Sequence, residues 1–163
     1  MNNGDGLRVV LWVAGCDHHC PECHNVSTWS PVSGIEFGLA AKKELFEELK
    51  KEHISGITFS GGDPLHESNV DTVCHLIEEI KKKFPSKTIW LYTGYKWNDI
   101  SENRFESLMD TNRWVTVLNC DIVVDGVFEK EKADVNYHWA GSTNQRVIDA
   151  QKSLQSGHVV LKE

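Results

Sequence analysis

The chain has 163 residues, of which 40% are hydrophobic and 25% are charged, and its formal net charge is −7. This composition is typical of a globular protein with one sizeable core, so we expect a single domain over 1–163. The acidic balance argues against a nucleic-acid partner, and no apolar run is long enough to span a membrane. Because the N-terminus also lacks a signal sequence, we expect a cytoplasmic protein with reduced thiols.

Short apolar runs alternate with helical patterns along the chain. Residues 7–13 are almost continuously apolar, which is typical of a parallel strand covered on both faces. Further strands are predicted at 56–59, 88–92, 121–124 and 146–149. This alternation predicts β-α-β units, and therefore an α/β fold with mostly parallel strands.

Three helices are predicted between these strands, at 39–51, 70–84 and 101–109. The second has the clearest helical repeat of apolar residues, and Ser68 with Asp71 resembles a capping box at its start. The apolar side chains of the third are expected to face the core, at Phe105, Leu108 and Met109. The motifs described below lie within about 3–149, and the tail 150–163 has no assigned structure.

Three cysteines lie in the loop after the first strand, at C-x3-C-x2-C spacing: Cys16, Cys20 and Cys23. In a reducing compartment, thiols this close together are typical ligands of a metal ion or an iron–sulfur cluster. Three thiolates do not fill four coordination positions. Either a neighbouring histidine (His18, His19 or His24) completes a Cys3His zinc site, or a 4Fe-4S cluster keeps one iron open for a ligand. The remaining cysteines, Cys74 and Cys120, are predicted to be buried apolar side chains.

Unusual motifs directly follow four of the predicted strands: the cysteine loop, the turn 61–64, Thr93-Gly94 and Asp125-Gly126. Parallel α/β sheets bind their ligands beyond the carboxyl ends of the strands. We therefore expect the four motifs to form one active site. In the turn, Gly-Gly suits a backbone that approaches a ligand closely. Asp63 could hydrogen-bond an ammonium group, and Asp125 could do the same or bind a ribose hydroxyl.

The sequence resembles the radical S-adenosylmethionine (SAM) enzymes, whose signature is C-x3-C-x2-C followed by a Gly-Gly turn. Within them it is similar to the activating proteins of the anaerobic (class III) ribonucleotide reductase. The resemblance extends over almost the whole chain. It is carried by these stretches: 3–8, 20–25, 27–29, 60–65, Trp90 with 93–95, 121–126 and 141–146.

The resemblance implies a compact, incomplete (β/α) barrel of the radical SAM type that holds one 4Fe-4S cluster through the three loop cysteines. It implies SAM contacts at Glu22, Cys23, His24, Gly61, Gly62, Asp63, Thr93 and Asp125. The implied reaction is reductive cleavage of SAM to methionine and a 5′-deoxyadenosyl radical. That radical would take a hydrogen atom from a glycine of the large reductase subunit, with electrons supplied by a donor such as flavodoxin.

One departure from the family pattern lies inside the cysteine motif, where Glu22 stands at a position that is usually glycine in close relatives. Two alternative functions keep the iron–sulfur cluster but change either its target or its chemistry. The radical chemistry could act on another glycyl-radical enzyme, such as pyruvate formate-lyase, or the chain could be a non-catalytic iron–sulfur electron carrier. The short chain leaves no room for a substrate domain, which favours a large protein partner.

Overall fold

The computed structural model describes residues 3–163. Within this range, five strands form one sheet: β1 Arg8–Val13, β2 Gly56–Gly61, β3 Thr88–Tyr92, β4 Ile122–Asp125 and β5 Arg146–Asp149. They lie side by side in chain order. The first four run parallel, and β5 pairs antiparallel with β4.

The predicted α/β fold with mostly parallel strands is confirmed, and each predicted strand is present. The fifth strand is antiparallel because the segment 126–145 has no helix long enough for a crossover and contains only a 3-10 turn at Lys130–Lys132. The sheet is open, since β1 and β5 form its two edges.

The helices of the described range are α1 Leu39–Leu49, α2 Val70–Lys83, α3 Trp97–Glu102, α4 Leu108–Leu118 and α5 Ala150–Ser156. The helices predicted at 39–51 and 70–84 are confirmed. Both pack on one face of the sheet, against buried side chains such as Ile57, Phe59 and Leu91. Cys74 and Cys120 are 5% and 0% exposed, so their prediction as buried apolar side chains is also confirmed. None of these helices is long and apolar enough to cross a membrane.

The single helix predicted at 101–109 is wrong. Residues 103–107 are not helical, and they separate α3 from α4. Ser107 is the N-cap of α4, where its hydroxyl accepts a hydrogen bond from the Asp110 N–H at 3.1 Å. This cap begins a new helix, whose first residue, Leu108, faces the solvent. Phe105 and Leu108 are each 78% exposed, whereas Met109 packs against the core.

The capping box predicted at Ser68 and Asp71 is also wrong. The N-cap of α2 is Asn69, and the Ser68 hydroxyl lies 2.7 Å from Nδ1 of His66 instead. The Asn69 amide donates a 2.9 Å hydrogen bond to the carbonyl of Ala14. The start of α2 is therefore tied to the end of β1 rather than capped by its own first turn.

The face of the sheet opposite α1 and α2, here called the inner face, carries a second apolar cluster around Trp90 and Val124. Near the amino ends of the strands, Arg8 fills this face. Its guanidinium donates hydrogen bonds of 2.8 Å to the Thr58 hydroxyl and 2.7 Å to the Ile57 carbonyl. Burial lowers the pKa of Arg8 to about 10, so the guanidinium stays charged at neutral pH. The amino ends of the inner face are thus braced by a charged side chain that hydrogen-bonds across the strands.

Gly56, the first residue of β2, has no room for a side chain. A Cβ atom there would lie 1.9 Å from the carbonyl oxygen of Thr88 on the neighbouring strand. We expect Gly56→Ala to lower the free energy of unfolding by roughly 2 kcal/mol or more, because the β2–β3 pairing must shift. Urea denaturation under anaerobic, reducing conditions measures this change. Gly38→Ala is the control, since a Cβ there meets nothing within 4 Å. Equal stability of the two variants would contradict the prediction.

Candidate functional site

A cavity of about 130 Å³ lies where the parallel strands end. The loops after β1, β2, β3 and β4 all contribute to its wall, so the four motifs meet at one edge of the sheet. The predicted site residues that line it are Cys16, Cys20, Cys23, His24, Gly61, Gly62, Asp63 and Thr93. Two predicted site residues, Glu22 and Asp125, are not part of the lining.

Backbone hydrogen bonds hold the cysteine loop against the ends of the strands. After the third cysteine the chain makes a 3-10 turn at Val26–Thr28 and returns to the start of the loop. There the Gly15 N–H donates to the Thr28 carbonyl at 2.7 Å, and the Cys16 N–H donates to the Trp29 carbonyl at 3.0 Å. Hydrogen bonds of its own backbone thus close the loop.

The three loop thiols are free and partly exposed. Burial raises the pKa of Cys16 and of Cys20 above that of an ordinary thiol, so metal binding must displace their protons. In residues 3–163, no three His, Cys, Asp or Glu side chains are grouped closely enough to hold one metal ion. In a 4Fe-4S cluster the cysteines bind different irons, so their thiols surround a cavity. Three soft ligands around a cavity fit such a cluster.

The carboxylate of Asp63, which is 2% exposed, joins the loops that follow β1, β2 and β3. Its Oδ2 accepts the Gly94 N–H at 2.9 Å and lies 2.7 Å from Nε2 of His18. Its Oδ1 accepts the Leu65 N–H at 2.8 Å, and the Thr93 hydroxyl lies 2.9 and 3.0 Å from the two oxygens. Because a carboxylate only accepts, Nε2 of His18 carries the proton in this pair.

The Gly61-Gly62 turn is required by close contacts between backbones. Gly61 has a φ of +101°, in the region that favours glycine. A Cβ atom on Gly62 would lie 2.6 Å from the Gly15 carbonyl oxygen and 2.9 Å from that of Thr28. The two glycines therefore let the cysteine loop pack directly on the end of β2, in addition to lining the cavity.

Glu22 adopts a left-handed conformation, with a φ of +55°. This backbone conformation favours glycine, which gives a physical reason for the glycine that the family resemblance leads us to expect at this position. The Glu22 side chain is 62% exposed and forms an ion pair with Lys130. An ion pair this exposed contributes little to stability.

Asp125 is 1% exposed, and its carboxylate hydrogen-bonds to other protein groups instead of lining the cavity. Its carboxylate accepts the Trp97 N–H at 2.8 Å and a hydrogen bond from Nε of Arg146 at 3.0 Å. This ion pair raises the pKa of Arg146. The neighbouring Gly126, with a φ of +94°, lines the cavity instead.

Sequence reasoning missed other residues of the cavity wall. His18 is predicted only as a possible zinc ligand, whereas the structure pairs it with Asp63. Gln145 lines the cavity, and its amide donates to the Gly126 carbonyl at 2.9 Å and accepts the Gly141 N–H at 3.0 Å. The only sequence signal for Gln145 is its place in the stretch 141–146 that carries the family resemblance.

The chain matches the family model described as a 4Fe-4S single cluster domain over residues 2–148. Together with the three cysteines at the strand ends, this match defines the class of protein: an α/β iron–sulfur protein with one cluster-binding motif. No solved structure matches the chain significantly.

Curated relatives named anaerobic ribonucleoside-triphosphate reductase-activating protein cover most of the chain. That of Enterobacteria phage T4 is 41% identical over 145 residues, which are 89% of this chain and 85% of the relative. That of Haemophilus influenzae is 37% identical over 88% of both chains. That of Escherichia coli K12 is 38% identical over 89% of this chain and 90% of the relative. The chain therefore belongs to the family of anaerobic ribonucleoside-triphosphate reductase-activating proteins.

Asp63→Asn should destabilise the protein by roughly 2 kcal/mol, because one carboxylate oxygen becomes an amide nitrogen that cannot accept the hydrogen bonds of its donors. Urea denaturation of the metal-free protein measures the change. Asp17→Asn is the matched control, since the 75% exposed Asp17 side chain pairs with a different histidine, His66, at 3.1 Å. We expect the control to unfold like the wild type. An Asp63 variant as stable as the control would show that the carboxylate is dispensable.

Proposed function

We propose that this protein is the activating enzyme of an anaerobic ribonucleotide reductase and acts as a radical SAM enzyme. Cys16, Cys20 and Cys23 would hold a 4Fe-4S cluster, and SAM would bind at the iron that has no cysteine. The observation that carries this proposal is that the three thiols line the same cavity as the Gly61-Gly62 turn. Family membership supplies the target, because the relatives are named for activating the reductase.

When bound, the cluster would supply one electron to SAM, whose cleavage gives methionine and a 5′-deoxyadenosyl radical that takes a hydrogen atom from a glycine Cα of the reductase. The protein's own residues bind, orient and shield. They need no acid–base pair for this reaction, because the chemistry is homolytic. The soft thiols provide the ligands, and the loops after the strands exclude water and stray hydrogen donors.

The contacts to SAM are assigned by their place in the cavity wall. Gly61 and Gly62 would present backbone groups to its methionyl end, and His24 and Thr93 would also contact it, since both line the cavity. Asp63 would act chiefly by holding Thr93 and neighbouring groups in place, because its oxygens already accept hydrogen bonds. By the same reasoning, Asp125 would position Gly126 through its pairing with protein groups, and Glu22 would contribute only backbone contacts.

The open sheet fits a radical SAM barrel that is left incomplete. We propose that the whole chain 1–163 acts as one such domain in the cytoplasm, with an electron donor such as flavodoxin and no nucleic acid. With β1 and β5 at the edges and the cavity at the strand ends, no part of the described chain encloses a protein substrate. The large reductase subunit would complete the enclosure by presenting its glycine-bearing segment to the cavity.

Replacing a cluster ligand should abolish iron binding. After anaerobic reconstitution, the wild type should hold about four irons per chain, and Cys16→Ala, Cys20→Ala and Cys23→Ala should each lose the cluster. Iron analysis and absorption spectra measure this. The matched controls are Cys74→Ala and Cys120→Ala, which remove buried thiols outside the cavity and should keep full iron content. A colourless wild type with one tightly held zinc would instead identify a closed zinc site.

Activation of the partner is tested by electron paramagnetic resonance (EPR). The reconstituted protein, SAM, a strong reductant and the large reductase subunit should together give a glycyl-radical doublet on the subunit. The doublet should vanish when the radical-site glycine of the subunit is replaced by alanine. A doublet formed only with pyruvate formate-lyase would retain the chemistry and reject the reductase as target. Iron binding without any SAM cleavage would indicate a simple electron carrier.

A further inference from the structure

Trp29 is fixed beside the first proposed cluster ligand by its own backbone. Its carbonyl accepts the Cys16 N–H at 3.0 Å, and the carbonyl before it, of Thr28, accepts the Gly15 N–H at 2.7 Å. The indole ring lies edge-on to His19, with the ring centroids 4.6 Å apart. Trp29 also lines the cavity together with the three loop thiols. Both the backbone and the ring of Trp29 are thus fixed within the cysteine loop.

The indole N–H of Trp29 is buried, and no acceptor for it is present among residues 3–163. An indole N–H can only donate, and buried donors almost always find a partner. The only other buried side-chain atom without a partner in this range is Oδ1 of Asn144, which is an acceptor elsewhere in the fold. Trp29 therefore has a donor that the protein alone does not satisfy, on a residue that lines the proposed cluster site. Its nitrogen is buried rather than open to the cavity, so the acceptor has to be a protein atom.

We infer that the indole N–H of Trp29 donates a hydrogen bond to a cysteine thiolate that ligates the cluster. This inference rests on the proposed function, in that it requires a cluster on the loop cysteines. Ligating thiolates are anionic acceptors, and loading of the cluster creates them from the loop thiols. Hydrogen bonds to sulfur help to set the potential of an iron–sulfur cluster. Because reduction adds negative charge, a donor at sulfur favours the reduced state and raises the potential.

The test compares Trp29→Phe with the wild type after anaerobic reconstitution and without SAM. Phenylalanine keeps an aromatic ring but removes the N–H. With tryptophan labelled by 15N in the indole ring, pulsed EPR of the reduced wild-type cluster should show a 15N coupling. The coupling should be lost in Trp29→Phe at unchanged iron content, and the midpoint potential should shift to a more negative value. Both readouts are independent of catalytic turnover.

Trp139→Phe is the matched control, because Trp139 packs on Trp90, at 5.4 Å between centroids, and is not in the lining of the cluster cavity. It should keep both the coupling and the wild-type potential. A coupling that persists in Trp29→Phe, or an unchanged potential in that variant, would overturn the inference. A coupling that appears only after SAM is added would also overturn it, by assigning the donor to SAM.

Two further outcomes separate the inference from the proposed function. If Trp29→Phe does not fold or does not load iron, the labelled wild type still decides, because a reduced cluster without any indole 15N coupling overturns the inference alone. If the wild type itself binds no iron, the proposed function fails and the inference fails with it.

Discussion

The hydrogen bonds of the buried Asp63 carboxylate are the constraint on which the site depends. One side chain from the turn after β2 binds His18 of the cysteine loop and the Thr93-Gly94 corner after β3. A buried carboxylate is costly unless donors surround it, and here the donors come from separate loops. Satisfying this one charge therefore fixes the relative positions of the three loops. The arrangement of the cavity wall therefore follows from the need to pair this buried carboxylate, as well as from the need to bind a ligand.

The Gly61-Gly62 turn also helps to fix the relative positions of these loops, because its small residues allow close packing. Because neither residue has a Cβ atom, the cysteine loop can place the Gly15 and Thr28 carbonyls directly against the turn. A hydrogen bond from the Asp63 N–H to the Gly15 carbonyl, at 2.8 Å, then connects the loop with the charged side chain that follows the glycines. Close backbone packing and the buried carboxylate thus act on the same pair of segments. The sequence motif Gly-Gly-Asp combines both requirements in three adjacent residues.

The strands, the two longest predicted helices and the meeting of four motifs at one sheet edge follow from the sequence, because apolar runs and β-α-β order are local signals. The split between α3 and α4 was not predictable from periodicity, since the Ser107 cap overrides an apolar pattern that ends up exposed. The partners of Asp63 and Asp125 were not predictable either. Each carboxylate pairs with groups far along the chain, and sequence spacing carries no information about such contacts.

The amino and carboxyl ends of the strands differ in how the inner face of the sheet is filled. At the amino ends, Arg8 donates to acceptors on β2 and β3 and lies 5.6 Å from the centroid of the Trp90 ring. Because each of these donors is engaged, displacing the guanidinium would leave a charge and the carbonyls of Ile57 and Thr88 without these partners. At the carboxyl ends, by contrast, glycines and the loop thiols line the cluster cavity. Arg8 therefore braces one end of the sheet, and the ligand groups lie at the opposite ends of the same strands.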